Sequence, residues 1–273
     1  MASAGGGNAA FEVSMIPEDY KRLSPEVIAK IKPLTDDPET SDTGQLAARR
    51  YLADMGISLK TAIDARIGCL VHRCFGGKDS KDGKDKKNAA GMMYQCIAYV
   101  NYINGQPVNV KYRSCDATAS GYTKCWSQDS PTTPCPPYNI DCINPLLIAE
   151  ENIPRLIVTE GERDVLTLRE AGYSYVISVP NGAASDLSKG FEAFRPWLDR
   201  VQELVICGDS DLPGRTLVKH LADYFGTRCL FTVLPGGCKD ISDVLVAYGT
   251  DVVREIIGSA CPHHTSDIIT VRE

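Results

Sequence analysis

Two short acidic segments follow apolar runs, and their residue types suit the binding of a metal ion. Glu160 follows the run 156–159, and Asp209 and Asp211 follow the run 204–207. Apolar runs of this length, bounded by glycine and charge, are typical of buried parallel strands. Ligands of open α/β sheets bind beyond the carboxyl ends of the strands, so we expect these carboxylates to converge at one sheet edge. Gathered carboxylates repel one another unless a hard cation such as Mg²⁺ neutralises them, which indicates phosphoryl chemistry on nucleotides.

Further acidic residues lie close to these segments, and each also has a structural interpretation. Glu162 and Asp164 fall in the first turn of a predicted helix, where acids complement the helix dipole. Asp209 and Asp211 alternate in an extended segment and can face one metal pair, although Asp211 also suits the N-cap of the next helix. Asp240 follows the fourth predicted strand and is either another ligand or a helix cap.

Basic residues at strand spacing in the first half could neutralise phosphates. Lys111 and Arg113 alternate in a predicted strand, so they share one face, and Lys124 and Trp126 follow shortly after. Cations beside an aromatic ring suit the binding of nucleotide phosphates and the stacking of bases. The alternative is the solvated face of an edge strand, where lysine is common. Lys239, before Asp240, could also meet a phosphate.

The elements that must position these residues differ between the two halves of the chain. The first half has predicted helices at 25–31, 43–56 and 59–67, a mobile loop at 76–91 and little regular structure at 115–145. Between them, the runs 92–101 and 107–113 flank Asn104-Gly105, which predicts a β-hairpin. The second half alternates: predicted strands at 155–159, 174–179, 203–207 and 228–233, and predicted helices at 162–171, 189–199, 213–225, 240–247 and 250–259. Such βα repeats predict a parallel sheet covered by helices.

Composition narrows the class of protein. The 273 residues are 43% hydrophobic and 23% charged, as in ordinary globular proteins, and no apolar run is long enough for a membrane helix. Met1 to Ala10 lacks the features of a signal peptide, and we expect a cytoplasmic protein. The eleven cysteines contain no C-x-x-C pair, so we expect neither a disulfide framework nor a structural zinc ion. The net charge of −6 argues against a general nucleic-acid binder.

These patterns predict an α/β protein in four segments. Residues 1–42 are a flexible lead-in, residues 43–152 a smaller α+β basic subdomain, residues 153–260 a Rossmann-like parallel-sheet catalytic domain, and residues 261–273 a tail. The boundary falls near Asn152–Pro154, where the strand–helix alternation begins.

Four sequence blocks resemble the TOPRIM domain of phage-type primase–helicases, the replication proteins of T-odd phages and their mitochondrial helicase relatives. The blocks are 159–164, 178–183, 209–215 and 237–240, in matching order and spacing. The segments 109–113 and 124–126 resemble, at fewer positions, the basic strands of the RNA-polymerase subdomain of these primases.

The resemblance implies a role for each candidate residue. Glu160, Asp209 and Asp211 would be catalytic, with Glu160 a metal ligand or a general acid/base. Asp209 and Asp211 would hold Mg²⁺ or Mn²⁺, and Asp240, with Glu162 and Asp164, would complete the shell of a second ion. The nucleotide or template would bind Lys111, Arg113, Lys124 and Lys239. The implied reaction joins ribonucleoside triphosphates into RNA primers on a single-stranded DNA template by two-metal nucleotidyl transfer.

The chain also departs from the full-length pattern of this family. It lacks the cysteine pairs of an N-terminal zinc ribbon and the phosphate-binding loop of a helicase. We therefore expect a primase core, a fragment of a larger primase–helicase, or a protein that works beside a separate replicative helicase. Two other functions stay open: a nuclease with the same domain, and a non-catalytic nucleic-acid-binding module of a replication or mobile-element complex. An aspartyl-phosphate phosphatase is disfavoured, because in that fold the D-x-D motif follows the first strand.

Overall fold

The computed structural model describes residues 20–76, 92–118, 121–132, 135–149, 151–180 and 187–262. The predicted loop at 76–91 lies almost entirely outside this part of the chain, as do residues 1–19 of the lead-in, most of the tail and the Asn181-Gly182-Ala183 part of the second block. Among the described residues, no helix combines the length and the apolar character that crossing a membrane requires.

A small antiparallel sheet dominates the first half, with helices beside it. The elements are α1 (Pro25–Ile28), β1 (Lys32–Pro33), α2 (Thr43–Asp54), α3 (Leu59–Asp64), β2 (Gly68–Gly76), β3 (Met92–Ile103), β4 (Gln106–Ser114), β5 (Ala117–Thr118), β6 (Gly121–Tyr122) and β7 (Cys125–Asp129). The strand order is β1-β2-β3-β4-β7, and β2 also pairs with β7 through Phe75 and Trp126. Four strands therefore close on themselves around a buried interior that includes Leu70, Ala98 and Tyr112.

The predicted hairpin is confirmed. β3 and β4 pair in antiparallel register, and the turn between them places Asn104 and Gly105 at φ values of 49° and 71°. Two successive residues with positive φ form the type of turn that Asn-Gly favours. The Asp141 carboxylate accepts hydrogen bonds from the amides of Asn104 (2.6 Å) and Gly105 (3.0 Å), which fixes the hairpin tip on the 3₁₀ turn at Ile140–Ile143.

Three strands of this sheet were not predicted, namely β1, β2 and β7. No strand was expected at β2, and the prediction of little regular structure at 115–145 is wrong, since β5, β6, β7 and further helical turns lie there. β7 reads Cys-Trp-Ser-Gln-Asp, so its last three residues are polar and no apolar alternation marks it as a strand. It is a strand because β2 and β4 lie on its two sides and supply backbone partners, so tertiary pairing overrides a weak local preference.

The second half is a parallel α/β unit, as predicted. Its elements are α4 (Asn144–Ile148), β8 (Ile153–Thr159), α5 (Glu162–Glu170), β9 (Val176–Ser178), α6 (Leu187–Glu192), α7 (Arg195–Leu198), β10 (Val201–Cys207), α8 (Leu212–Phe225), β11 (Cys229–Phe231), α9 (Ile241–Tyr248) and α10 (Thr250–Gly258), with 3₁₀ turns at Ile140–Ile143 and Gly226–Arg228. All neighbouring strands in the order β11-β10-β8-β9 are parallel. The predicted fold class, a parallel-sheet domain preceded by an antiparallel subdomain, is confirmed.

The helix predicted at 189–199 is instead two short helices. α6 ends at Glu192 and α7 begins at Arg195, with Pro196 in its first turn. Proline has no amide hydrogen, and its ring clashes with the carbonyl four residues earlier, here that of Glu192. The break also directs Phe191 and Phe194 into the core, where both are fully buried.

The hydrophobic core runs across the proposed boundary between the halves. One buried cluster combines Ala48 and Tyr51 of α2 with Val165 of α5 and Val244 of α9. A second cluster joins Ile103 at the hairpin to the other face of the parallel sheet. The two sheets are therefore held in a fixed relation, and a cleft lies between them. The four-segment division at residues 42, 152 and 260 stays a prediction.

Candidate active site

The strand ends that carry the predicted carboxylates lie side by side. β8 and β10 are neighbours, and Thr159 pairs with Cys207 at their carboxyl ends. Glu160 and Asp209 leave the sheet one and two residues later, so both reach the same edge. Asp240 comes to this edge from the loop after β11. The expected convergence of acids is therefore present in the structure.

These residues line an open cleft of about 360 Å³ between the two sheets. The parallel-sheet side contributes the acids and their neighbours, and the antiparallel sheet contributes the opposite wall. The lining residues are Tyr99, Lys111, Arg113, Trp126, Glu160, Gly161, Glu162, Arg163, Asp164, Asp209, Lys239 and Asp240.

The opposite wall is the outer face of β4 and β7. Lys111 and Arg113 are two residues apart in β4, and Arg113 pairs across the sheet with Trp126. Alternation of side chains along a strand places all three on one face, as predicted. Trp126 is 45% exposed, so its indole ring is available for stacking.

One ion pair joins the two walls. The Lys111 ammonium donates to the Glu162 carboxylate, and the side chains are only 15% and 13% exposed. A pair so little hydrated is screened weakly by salt. Because Glu162 begins α5, this contact also sits at the positive end of the helix dipole.

Lys239 lies between the two aspartates of the D-x-D segment. Its ammonium nitrogen is 2.7 Å from Asp209 and 3.3 Å from Asp211. Burial opposes the charged form of Lys239, but the hydrogen bond and the charge of Asp209 outweigh it and raise the pKa of the ammonium. For Asp209, burial raises the pKa of the carboxyl, and the Lys239 hydrogen bond works against that rise.

A third ion pair, which the sequence analysis did not single out, joins α5 to the loop before α9. The Arg163 guanidinium donates to the Asp240 carboxylate at 2.5 Å, and the Asp240 side chain is 9% exposed. The other Asp240 oxygen accepts the Asp243 amide at 2.8 Å and so caps α9. Arg163 lies inside the first acidic segment, between Glu162 and Asp164 in the first turn of α5. This position beside two acids is the feature of the sequence from which the ion pair could have been predicted.

Asp164 is the most enclosed acid of the site. Its carboxylate accepts hydrogen bonds from the Gly161 amide at 3.1 Å and the Ser242 hydroxyl at 2.8 Å. Burial, followed by the negative charge of Asp240, raises the pKa of Asp164 to about 7. This carboxyl therefore exchanges its proton near neutral pH, whereas an aspartate in water is ionised.

The helix-cap interpretation applies to Asp211 as well as to Asp240. The Asp211 carboxylate accepts the Gly214 amide at 3.0 Å and caps α8. A side chain at position 214 would place its Cβ 2.4 Å from the Asp209 carbonyl oxygen, so only glycine lets the helix start this close to Asp209. Capping does not exclude metal binding, because a carboxylate has a second oxygen.

Two of the predicted site residues lie outside the lining of the cleft. Lys124 is exposed beside β7, and Asp211 reaches the site only through Lys239. Tyr99, which lines the floor and is 2% exposed, was not predicted. Among the described residues, no three histidine, cysteine or acidic side chains are close enough together to form a metal-binding group. The ion pairs to Lys111, Arg163 and Lys239 hold four of the predicted ligands in this arrangement.

Comparison with known protein families finds a match in the second half of the chain. The Toprim domain matches residues 155–240. A "Primase homolog protein" of Arabidopsis thaliana is 30% identical over 186 residues, covering 61% of this chain and 51% of that protein. A "Twinkle homolog protein, chloroplastic/mitochondrial" of the same plant is 28% identical over 186 residues, covering 61% of this chain and 24% of that protein. The chain thus spans about half the length of the first relative and about a quarter of the second.

A solved structure extends the likeness to the whole fold. The primase fragment of the bacteriophage T7 primase–helicase superposes with a TM-score of 0.55 at 21% identity, covering 87% of this chain and 82% of that one. At this identity the likeness concerns the fold, and it includes the antiparallel subdomain as well as the parallel sheet. Residues 155–240 thus match the Toprim domain, and the chain joins them to an antiparallel subdomain in a primase-like α/β fold.

Proposed function

We propose that the chain is the RNA-polymerase core of a DNA primase, which joins ribonucleoside triphosphates into short RNA primers on single-stranded DNA. The observation that carries this proposal is the composition of the cleft. Strand-end carboxylates form one wall, and Lys111, Arg113 and Trp126 form the facing wall. Acids suit the reacting end of a nucleotide, and cations beside an aromatic ring suit its phosphates and base.

The carboxylate set fits a divalent cation by its donor chemistry. Every candidate ligand offers oxygen, which Mg²⁺ and Mn²⁺ prefer. Burial raises the pKa of both Asp164 and Asp209, and a cation nearby would stabilise their ionised forms. Glu160, Asp209 and Asp211 would hold one ion, and Asp240, with Glu162 and Asp164, a second. When bound, such ions activate the attacking hydroxyl and stabilise the leaving pyrophosphate.

The cationic residues of the chain would bind and orient the substrates. Lys111, Arg113 and Lys239 would contact the triphosphate or the template phosphates, and Trp126 would stack on a base. Lys111 and Lys239 are held by carboxylates in this structure, so each would exchange a carboxylate for a phosphate oxygen on substrate binding. Glu160, at the end of β8, would serve as a metal ligand or would accept the proton of the attacking hydroxyl.

The comparisons support this proposal at the level of fold and family. One relative is named a primase homolog, and the T7 fragment belongs to a primase–helicase. We extend the proposal to a replicative helicase as partner, in a separate chain or in a further domain. The relative named as chloroplastic and mitochondrial favours an organelle over the cytoplasm of a bacterium or an infected cell, and fractionation of a tagged protein would decide between them.

The test is primer synthesis from labelled ribonucleotides on single-stranded DNA, with Mg²⁺ and with Mn²⁺, beside a nuclease assay on the same strand. Wild type should extend primers, and Glu160→Gln should lose this activity by orders of magnitude while its binding of nucleotides is largely retained. Glu255→Gln, the same change on α10 and away from the cleft, is the matched control and should remain active.

Each other outcome assigns a different function. Cleavage without synthesis would make the protein a nuclease. Binding of single strands with neither reaction, under either metal, would make it a non-catalytic binding module and would contradict the primase proposal.

A further inference from the structure

A second cavity, of about 160 Å³, lies between the two halves and shares no lining residue with the cleft. Tyr99 of the cleft and Tyr138 of the cavity are in edge-to-face contact, with ring centroids 6.0 Å apart. Glu162 near the start of α5 faces the cleft, whereas Arg169 near its end faces the cavity. The cavity is therefore a separate site, on the far side of the tyrosine pair.

Arg66, on the rim of this cavity, adopts an unusual backbone conformation. Three helices of the chain, α2, α3 and α5, end in the same way: the next amide donates to the carbonyl five residues earlier, and the residue before that amide has positive φ. Two of the three use glycine, at Gly56 (φ 73°) and Gly172 (φ 96°). α3 uses Arg66, at φ 55°. A side chain in this conformation costs roughly 1 kcal/mol, so the turn alone favours glycine.

The strained backbone of Arg66 places a guanidinium at the cavity, where glycine would place no side chain. Its guanidinium stacks over the Tyr102 ring, 4.8 Å from the centroid. Arg169 enters from α5, and within the described part of the chain its guanidinium donates to neutral oxygens, of Asn139 at 3.5 Å and of the Asp64 backbone at 3.2 Å. Among the described residues, neither guanidinium has a carboxylate partner.

The two acids beside the cavity are occupied by other groups. The Asp141 carboxylate accepts the amides of Asn104 and Gly105 at the hairpin tip. The Asp64 carboxylate accepts the ammonium of Lys60, one turn earlier in α3. The two arginines, from opposite halves of the chain, are therefore the groups left to meet a ligand.

We propose that this cavity binds a phosphate-sized anion between Arg66 and Arg169. The guanidinium fork matches the oxygens of a phosphate group. The cavity is smaller than the roughly 300 Å³ at which pockets for drug-sized ligands begin, so it takes inorganic phosphate, pyrophosphate or the terminal phosphate of a small metabolite. Such an anion would join α3 to α5 and hold the two halves together behind the active site.

The test uses Arg66→Gly, which restores the residue that the other two helix ends carry. Its melting temperature without phosphate should equal or exceed that of wild type, because glycine relieves the backbone strain. Its affinity for inorganic phosphate or pyrophosphate, measured by calorimetry, should fall about tenfold or more, as should that of Arg169→Gln. Arg195→Ala is the matched control: Arg195 also stacks on a tyrosine, at 4.9 Å, but lies elsewhere, and its loss should leave phosphate affinity unchanged.

Three outcomes would overturn the proposal: no binding of phosphate or pyrophosphate by wild type at millimolar concentration, equal affinity in wild type and Arg66→Gly, or a lower melting temperature for Arg66→Gly. The last would show that Arg66 serves stability. Oligonucleotide binding that depends on Arg66 while phosphate affinity does not would also contradict it. The measurements need neither template nor ribonucleotides, so their outcome is independent of whether the chain makes primers.

Discussion

The two walls of the cleft hold their charged groups in different ways. On the parallel-sheet side, Asp164, Asp211 and Asp240 each accept a backbone amide at the start of a helix. On the antiparallel side, Lys111 and Arg113 project from the middle of β4, whose backbone is paired to β3 and to β7. These three acids are thus fixed by nearby backbone amides. The backbone fixes Lys111 and Arg113 only at the base of their long side chains.

This difference indicates which groups move when a ligand binds. Carboxylates bonded to helix amides keep their positions, since moving them would uncap a helix at a cost of about 1 kcal/mol each. Lysine side chains can swing to a new acceptor without any change in the backbone. We call the carboxylates of the parallel-sheet side the acid wall, and Lys111 and Arg113 of the antiparallel side the cation wall. We therefore expect the acid wall to be preorganised, and we expect the ion pairs of Lys111 and Lys239 to break when substrate binds.

Asp209→Asn should break the acid wall most severely. The change keeps the size of the side chain and deletes one charge, so primer synthesis should fall about a hundredfold or more. The apo-protein should melt near the wild-type temperature, because the carboxylate it loses is buried among other acids. Mg²⁺ raises the melting temperature of any protein that binds it only when folded. Thermal melts with and without Mg²⁺ should show this rise for wild type and not for the variant; an equal rise would remove Asp209 from the metal site.

Asp164 makes the stability of the acid wall depend on pH. Its folded pKa of about 7 lies above its unfolded value near 4, so the folded state binds more protons between these values. The stabilisation is complete below the unfolded pKa and is lost as the pH rises through the folded pKa. Asp209, whose pKa burial also raises, acts in the same direction.

The free energy of unfolding should therefore decrease as the pH rises from 4.5 to 8, because Asp164 and Asp209 lose their protons. The decrease should be on the order of a few kcal/mol, and urea titrations at several pH values would measure it. Asp164→Asn cannot titrate and should show a shallower decrease than wild type. The slope is the relevant quantity, because asparagine has a single acceptor oxygen and therefore loses one of the two hydrogen bonds that the Asp164 carboxylate accepts. Parallel slopes for the two proteins would contradict the assignment.

Lys111→Met tests the cation wall. Methionine keeps the apolar stem and removes the charge, so nucleotide affinity should fall about tenfold, with a flatter salt dependence if a phosphate contact is lost. Stability should fall by about 1–3 kcal/mol, because Glu162 is left partly buried without its partner. Lys219→Met, at an exposed lysine of α8 outside the cleft, should change neither quantity. Equal effects of the two changes would reduce Lys111 to a general surface charge.

Substitutions of Asp211 can separate its role as a helix cap from a role as a metal ligand. We expect their effects to be the smallest among these predictions. Asp211→Ala should lose about 1 kcal/mol through the missing cap of α8, and Asp211→Ser should retain it, since serine caps as well as aspartate. If Asp211 is also a metal ligand, both changes should reduce the stabilisation by Mg²⁺. A serine variant that responds to Mg²⁺ like wild type would leave Asp211 as a cap alone.

The sequence by itself determined the parallel half and the location of its acids. Buried parallel strands are continuous apolar runs, and β8 and β10 could be recognised without any partner. Since the topology of a parallel sheet sends all carboxyl ends to one edge, the meeting of Glu160 and Asp209 followed from their positions just after two strands. The Asn104-Gly105 turn likewise carried its own signal, because it needs two residues that tolerate positive φ.

Only the tertiary structure decided how the antiparallel half closes and how the charges pair. β7 has little strand character of its own and is ordered by β2 and β4, so its existence depends on residues far away in sequence. The pairing of Lys111 with Glu162 depends on two sheets meeting across a cleft, and the pairing of Arg163 with Asp240 depends on the packing of α5 against α9. No spacing in the sequence encodes either distance. The cavity of Arg66 and Arg169 has the same origin. Local patterns report the hydrogen bonds and burial of one element, whereas a site between elements exists only after they have packed together.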